Sequence, residues 1–430
     1  MTYKETLTYL YSQLPMFQRI GGTAYKAGLD TSKRLSALFN NPEKSYLTIH
    51  VAGTNGKGSV SHLLAAILQQ SGYRVGLYTS PHLVDFRERI RVNGKMIPEN
   101  EVTGFVQEYI DSGFDGSPSF FELTMTMAFD YFRKSGVDIA VIEVGLGGRL
   151  DSTNIINPVI SIITNISFDH TQFLGDTLEK IAFEKAGIIK NNIPVVIGEA
   201  EGKIKEVFIN KAKETNSPII FAKDNNEIIS SCKSDDRWLL TTRHYGTITD
   251  ELSGDCQVNN ADTVLNALTE LKKKGIKITG DAIELGFLKV CELTGLQGRW
   301  TILSNSPRTI CDTGHNVGGM EYITRQLKEE KYSRLHMVIG FVNDKDISSI
   351  LKMLPEDAVY YFTQASIPRA LDCGGLKELA SSAGLKGECY ETVENAYKTA
   401  LKKCSSGDLL FIGGSTFIVA DLISYINGLR

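Results

Sequence analysis

Apolar residues along this chain follow two alternating rhythms. Short runs dense in β-branched and apolar residues, at 46–51, 75–79, 137–144, 159–166 and 193–197, have the composition of buried strands. Between them, near 59–71, 99–111, 119–135 and 177–187, apolar residues recur at helical spacing, as at Val60, Leu63, Leu64, Ile67 and Leu68. This alternation predicts a parallel sheet with helices on both faces. Residues 1–45 read as mainly helical, with turns at Gly21-Gly22 and Asn40-Asn41-Pro42. Between 200 and 250 the pattern changes, and 218–221 and 238–242 predict a small antiparallel sheet appended to the first domain. A helix returns at 259–273, and Gly295-Leu296-Gln297-Gly298-Arg299 reads as a linker. The alternation then restarts, with strands at 309–312, 335–341, 359–363 and 408–412 and helices at 317–329, 346–353, 374–383, 392–404 and 416–427.

The stretch joining the first strand to its helix is His50-Val51-Ala52-Gly53-Thr54-Asn55-Gly56-Lys57-Gly58-Ser59-Val60. A strand that turns through glycines into a helix N-terminus aims several backbone N–H groups at one point, and the helix dipole and a lysine add positive potential. That concavity suits phosphate. Gly58 follows Lys57 where a P-loop ordinarily has Ser or Thr, and the hydroxyl comes one place later, at Ser59. A glycine-rich turn with a solvated lysine is the plainer alternative; the strand, glycines, lysine, hydroxyl and helix in series favour a nucleotide. The expected fold class is therefore α/β. A P-loop parallel-sheet ATPase domain with a small antiparallel appendage spans 1–294, a linker 295–300, and a second, smaller α/β domain 301–430.

Composition narrows the function classes. Hydrophobic content of 42% and charged content of 22% fit a soluble globular protein. A net charge of −4 gives no support to general nucleic-acid binding. No apolar run reaches the length of a membrane span and no signal segment opens the chain, so a cytoplasmic protein is expected. The seven cysteines are dispersed without a CxxC pair, which predicts reduced thiols and neither a zinc site nor a disulfide frame.

Candidate chemistry gathers at strand ends, where open parallel sheets bind ligands. Glu143 ends one strand and precedes Gly145-Leu146-Gly147-Gly148-Arg149-Leu150-Asp151. It could hold Mg²⁺ against ATP phosphates, or form an ion pair with Arg149. Asp169-His170 follows another strand, and Lys185 sits on a helix expected to run along the same edge. Taken singly, such residues are more often structural or solvated. Ser80 also ends a strand, as a metal ligand or a turn cap. In the second domain Asp312-Thr313-Gly314-His315-Asn316 follows a strand directly, suiting ribose, phosphate or metal contacts. Arg299, at the domain junction, would reach phosphates on closure or make an interdomain ion pair.

These motifs occur together and in order. Gly53–Ser59, Thr79-Ser80-Pro81-His82, Glu88-Arg89-Ile90, Glu143 to Asn154, Asp169-His170, Glu184-Lys185-Ala186-Gly187-Ile188 and Asp312–Asn316 resemble the folylpolyglutamate synthase/dihydrofolate synthase family, in the superfamily that includes the Mur ligases. The resemblance runs from about residue 45 to the C-terminus. It implies that Gly53, Thr54, Asn55, Gly56, Lys57, Gly58 and Ser59 cradle the ATP phosphates, with Lys57 on the β- and γ-phosphates. It implies a first Mg²⁺ on Ser80 and Glu143, and a second on Glu143, His170 and a carbamylated Lys185. A carbamate offers Mg²⁺ the oxygen donor that an ammonium cannot. Gln257, Asn260, Arg299 and Asp312 match ATP contacts. Arg89, His315 and Ser415 match positions for the incoming glutamate, and Phe120, Phe121 and Glu122 begin a stretch bordering a pterin or folate pocket. The sequence departs from the family at Asp312-Thr313-Gly314-His315-Asn316-Val317, where a small residue and Pro are commoner.

The chemistry implied is amide ligation. Phosphoryl transfer from ATP turns a carboxylate into an acyl phosphate, and the glutamate amine then displaces phosphate. The acceptor is reduced folate, dihydropteroate or both, the partners are small molecules, and a monomer is the family expectation. Two alternatives remain at this point: another amino-acid ligase of the Mur superfamily, or a non-catalytic ATP-gated binding module. A generic kinase or GTPase accounts less well for the strand-end Glu, His and Lys with a second α/β domain.

Overall fold

The computed structural model describes residues 1–15 and 28–428; the turn expected at Gly21-Gly22 lies outside them. The chain divides into two compact units. Unit 1 comprises Met1–Ile166, Thr171–Glu251 and Gln257–Leu296, and unit 2 comprises Gln297–Arg430 with two short stretches, Ser167–His170 and Leu252–Cys256.

Unit 1 is built on eight strands: β1 (Leu47–Ala52), β2 (Val75–Tyr78), β3 (Ile90–Val92), β4 (Lys95–Met96), β5 (Ile139–Glu143), β6 (Ile160–Ile163), β7 (Val195–Ile197) and β8 (Ile219–Phe221). Their order is β4-β3-β2-β5-β1-β6-β7-β8. From β2 to β8 every pair is parallel. β1 therefore lies inside the sheet, and Ile49, Val51 and Ala52 are fully buried, as a parallel strand covered on both faces requires. The helix Lys57–Gln70 leaves from its C-terminal end and buries every residue from Gly58 to Leu68. It is thus a core helix, more deeply covered than its apolar stripe alone predicts. The helix Gly280–Leu288 accounts for much of that cover: a Cβ on Gly286 would lie 2.5 Å from Ile67 Cγ1.

One polar group sits in the middle of β1. His50 is fully buried, with Nε2 2.9 Å from Thr153 Oγ1. The Thr153 hydroxyl is donated to Asp151 Oδ1, so the ring donates from Nε2 and its Nδ1 is a buried lone pair without a partner. Burial, reinforced by Lys190, pushes the imidazole down to about 3.

Residues 218–221 do not belong to the antiparallel appendage; as β8 they close the main sheet, parallel to β7. A short apolar run at a sheet edge carries no mark of which sheet it joins. The appendage itself is β9 (Ile228–Ser234), β10 (Arg237–Thr242) and β11 (Thr247–Asp250), all antiparallel. The helices Gly202–Glu214, Gly280–Leu288 and Val290–Thr294 were not expected from the pattern.

Unit 2 holds β12 (Thr301–Asn305), β13 (Arg308–Cys311), β14 (Leu335–Ile339), β15 (Val359–Thr363), β16 (Gly387–Tyr390) and β17 (Leu409–Gly413), in the order β12-β13-β17-β14-β15-β16. The expected strands are the inner ones; β12 and β16 are edge strands with too little apolar character to stand out. Cys373 and Cys389 form a disulfide with their Cα atoms 5.5 Å apart, which corrects the expectation of seven reduced thiols. The cause is topological: β16 returns beside β15 and brings together two cysteines 16 residues apart. Among the described residues no helix is long and apolar enough to cross a membrane.

Because His50 titrates far below an unfolded histidine, its contribution to stability is whole above about pH 6.5 and is lost as pH falls toward about 3, at up to about 1.4 kcal/mol per pH unit. Urea unfolding of wild type and His50→Asn across that range should give a stability difference that shifts toward the variant on acidification. Parallel curves would contradict the burial argument.

Candidate active site

The loop after β1 owes its shape to contacts with the end of β6. Gly53 has φ +147°, and a Cβ there would lie 1.8 Å from Thr164 Oγ1. Gly56 has φ +85°, and a Cβ there would lie 2.3 Å from Asn260 Oδ1. Both positions need glycine for conformation and for space. Thr54 N donates to Asn165 O and Asn55 N to Asn165 Oδ1, each at 2.9 Å, and Thr164 Oγ1 donates to Asn55 O. The helix Lys57–Gln70 starts straight from Gly56 with no side chain capping its first turn. Its leading N–H groups are therefore presented by the loop in the manner of an anion site.

Two lysines converge on this loop. Lys57 folds back so that Nζ donates to Gly53 O at 3.1 Å and Thr54 O at 3.0 Å. Lys185, nearly fully buried on the helix Leu178–Ala186, donates to the same Gly53 O at 2.8 Å. Gln257 and Asn260 are brought to the loop as well: Asn260 Nδ2 donates to Gln257 Oε1 at 2.8 Å, and Asn260 is the residue Gly56 avoids.

Ser80 and Glu143 meet at the ends of β2 and β5, with Ser80 N donating to Glu143 Oε2 at 3.2 Å. Glu143 is buried, and the Arg149 guanidinium considered as its partner pairs with Glu184 at 2.8 Å. The next loop is clamped by Asp151, whose Oδ2 accepts Gly145 N at 3.0 Å and Leu146 N at 2.9 Å. Among the described residues no three His, Cys, Asp or Glu side chains gather as a metal site. The donor chemistry nevertheless fits a hard divalent cation. A buried carboxylate stands beside a serine at adjacent strand ends, and Ser59 Oγ in the phosphate loop is buried without a hydrogen-bond partner.

The acceptor-side candidates separate into two kinds. Phe120 stacks on Tyr11 with centroids 5.7 Å apart, and the Arg89 guanidinium lies 5.2 Å from its ring centre. Arg89 is buried and donates to His82 Nδ1 at 2.8 Å. Phe121 leans on Tyr78, centroids 5.8 Å apart, and also blocks any side chain at Gly145. Glu122 is occupied structurally: it caps the helix Phe120–Lys134 through Ser119 N at 2.8 Å and accepts Ser32 Oγ at 3.1 Å.

The remaining candidates lie in unit 2. Asp312, at the end of β13, accepts Trp300 N and Gly314 N, each at 2.7 Å, and burial pushes its carboxyl up against the opposing pull of Arg299. Arg299 donates to Thr313 Oγ1 and, at 3.2 Å, to Gly298 O. Ser415 caps the helix Thr416–Ile426 through Phe417 N at 3.2 Å. His315 Nδ1 lies 3.0 Å from Thr313 O. His170 falls in this unit with its neighbour Asp169, and burial pushes its imidazole down to about 3 against the attraction of Asp169, so it presents a neutral ring. For Asp169 burial works upward, yet the Lys345 ammonium on one oxygen, with His315 facing the other, holds it well below the usual carboxylate range. Sequence reasoning passed over Lys345 and Thr164, and gave His82 no role beyond its place in the Thr79-Ser80-Pro81-His82 motif. The charged run Asn343-Asp344-Lys345-Asp346 just beyond the end of β14 was the available signal for Lys345.

A phosphate loop on a parallel sheet, a strand-end carboxylate with a serine, and a second α/β unit define an ATP-using enzyme of the Mur ligase type. The Mur ligase middle domain model matches residues 51–268, and the Mur ligase glutamate ligase domain matches 298–416. The dihydrofolate synthase/folylpolyglutamate synthase of Bacillus subtilis is 33% identical over 92% of this chain and 94% of its own length. The structure of E. coli FolC in complex with DHPP and ADP superposes with a TM-score of 0.87 at 31% identity, covering 100% of this chain and 99% of that one. A bifunctional folylpolyglutamate synthase/dihydrofolate synthase with Mn, AMPPNP and L-glutamate bound gives 0.83 at 28% identity, over 99% of this chain and 98% of that one. The chain belongs to the folylpolyglutamate synthase/dihydrofolate synthase family.

The loop geometry gives a graded expectation. Gly53→Ala should weaken ADP affinity by about tenfold or more, because the new Cβ must displace Thr164. Gly72→Ala, at φ +88° with nothing within 4 Å, should leave ADP affinity unchanged and cost only about 1 kcal/mol of stability. Calorimetric titration of both variants checks this, and equal losses would contradict it.

Proposed function

We propose that this chain is an ATP-dependent amide ligase that adds L-glutamate to a folate-type carboxylate through an acyl phosphate. The observation that carries the reading is the phosphate loop with two lysines on the Gly53 carbonyl, beside a buried Glu143 bonded to Ser80. In this reading Gly53–Ser59 bind the triphosphate, and Lys57 swings from the Gly53 and Thr54 carbonyls onto the β- and γ-phosphates. The charge that moves during phosphoryl transfer is met by Lys57 and by the N–H groups at the start of the helix Lys57–Gln70. Gln257, Asn260, Arg299 and Asp312 contact ATP in this reading.

The divalent requirement is assigned to two Mg²⁺ ions, one on Ser80 and Glu143 and one on Glu143, His170 and Lys185; when bound they supply Lewis-acid stabilisation of the transferring phosphoryl group. Lys185 is proposed to be carbamylated. Two ammonium groups on a single buried carbonyl oxygen repel each other, and conversion of one to a carbamate removes that repulsion while supplying an oxygen donor. The neutral ring of His170 keeps a nitrogen lone pair for a metal.

The acceptor ring is assigned to the aromatic group of Phe120 and Phe121 near Arg89. Glu122 acts there through the helix cap it makes. His315 and Ser415 are assigned to the incoming glutamate. Activity on dihydropteroate as well as on reduced folates is part of the proposal. One chain acting alone in the cytoplasm suffices for it, since ATP, acceptor and glutamate are all small soluble molecules.

Phosphate release should require ATP, glutamate and either dihydropteroate or tetrahydrofolate together. Lys57→Ala and Glu143→Ala should each lower product formation by about a thousandfold while the unfolding midpoint stays near wild type. Coupled ADP-release assays with each component omitted test this. Turnover without glutamate, a preference for a UDP-muramyl acceptor, or full activity in either variant would overturn it.

A further inference from the structure

The segment that carries His170 is held in unit 2 through one buried carboxylate. Asp169 Oδ1 accepts the backbone N–H of His170 at 2.8 Å and also the Nζ of Lys345. Asp169 Oδ2 accepts Asn316 Nδ2 at 3.0 Å and faces His315 Nε2 at 3.6 Å. The Asp169 and Lys345 side chains are only 9% and 8% exposed. A carboxylate so placed holds its position only while its charge and lone pairs are met. Asn316 is itself fixed from the other side, its Oδ1 accepting Gly319 N at 2.8 Å as the cap of the helix Val317–Glu329. Lys345 is flanked by two aspartates that are engaged elsewhere: Asp344 pairs with Arg369 at 2.8 Å, and Asp346 caps its own helix through Ser349 N at 3.2 Å.

The backbone held in this way is unfavourable by itself. His170 has φ +49°, the left-handed region that glycine and asparagine enter more readily than histidine. A histidine maintained there by an adjacent carboxylate, itself held by Lys345, Asn316 and His315, points to a ring whose direction matters.

We infer that Lys345 is a positioning residue. By neutralising Asp169 it keeps the His170 backbone in the left-handed turn and so sets the direction in which the imidazole is offered to a divalent cation. This rests on the reading of His170 as a metal ligand. An ion pair that served stability alone would leave cation binding untouched in any variant that still folds.

The test uses the full chain with Lys345→Met, Lys345→Arg, Asp169→Asn and His170→Ala, and two readouts. One is amide hydrogen exchange of the peptide spanning 167–170 in metal-free protein. The other is Mn²⁺ titration followed by electron paramagnetic resonance in the presence of AMPPNP. Lys345→Met and Asp169→Asn should raise exchange at His170 by about tenfold or more and weaken one Mn²⁺ site by a similar factor, while Lys345→Arg stays within about threefold of wild type on both. Asp169→Asn is nearly isosteric, so the inference stays testable if Lys345→Met folds poorly. Wild-type exchange and Mn²⁺ affinity in both variants, with loss of the ion in His170→Ala, would overturn the positioning role. Unchanged Mn²⁺ binding in His170→Ala would overturn the ligand reading itself, and exchange alone then decides whether Lys345 holds the turn.

Discussion

The constraint on which unit 1 depends is the contact between Gly53 and the end of β6. Thr164 Oγ1 occupies the space a Cβ would need, and Thr164 and Asn165 supply the partners that hold Thr54 and Asn55 in place. Because β1 lies between β5 and β6 in the parallel sheet, the loop cannot relax without disturbing neighbours on both sides. The helix that follows begins with its first turn directed by the loop rather than by a capping side chain. The loop therefore presents the leading N–H groups of that helix as a property of the sheet's register, before any ligand arrives.

The same register collects the rest of the chemistry in this unit. β2 and β5 are parallel neighbours, so their C-terminal ends bring Ser80 to Glu143. Asp151 ties down the backbone immediately after Glu143, and through Thr153 it also reaches His50 inside β1. The backbone just beyond Glu143 and the core histidine are thus linked by one set of buried hydrogen bonds, which rigidifies this end of the sheet. In unit 2 the corresponding organiser is Asp169, whose carboxylate gathers the turn at His170, the helix beginning at Val317 and the loop after β14.

Much of this was legible in the sequence because burial leaves a periodic trace. Inner strands such as β1, β5, β14 and β17 are buried at nearly every residue, and their apolar runs announced them. Edge elements left no such trace: β8 was assigned to the wrong sheet, and β12 and β16 passed unnoticed, since half-exposed strands need no continuous apolar run. The disulfide was invisible because pairing depends on β16 lying beside β15, which cysteine spacing does not encode. Residues tied to a glycine motif or a strand end stood out as candidates. Lys345 was missed because a lysine between two aspartates reads as a solvated turn until the fold sets it against Asp169.

In the proposed reaction, adjacent strand ends of unit 1 converge on a triphosphate and its metal. A crystal of this protein soaked with AMPPNP and Mn²⁺, with the metal located by anomalous scattering, tests it most directly. An anomalous peak is expected about 2 Å from oxygens of Glu143 and Ser80, in contact with the β- and γ-phosphates above the Gly53–Ser59 loop. Phosphates bound elsewhere, or a metal with neither Ser80 nor Glu143 in its coordination sphere, would contradict it.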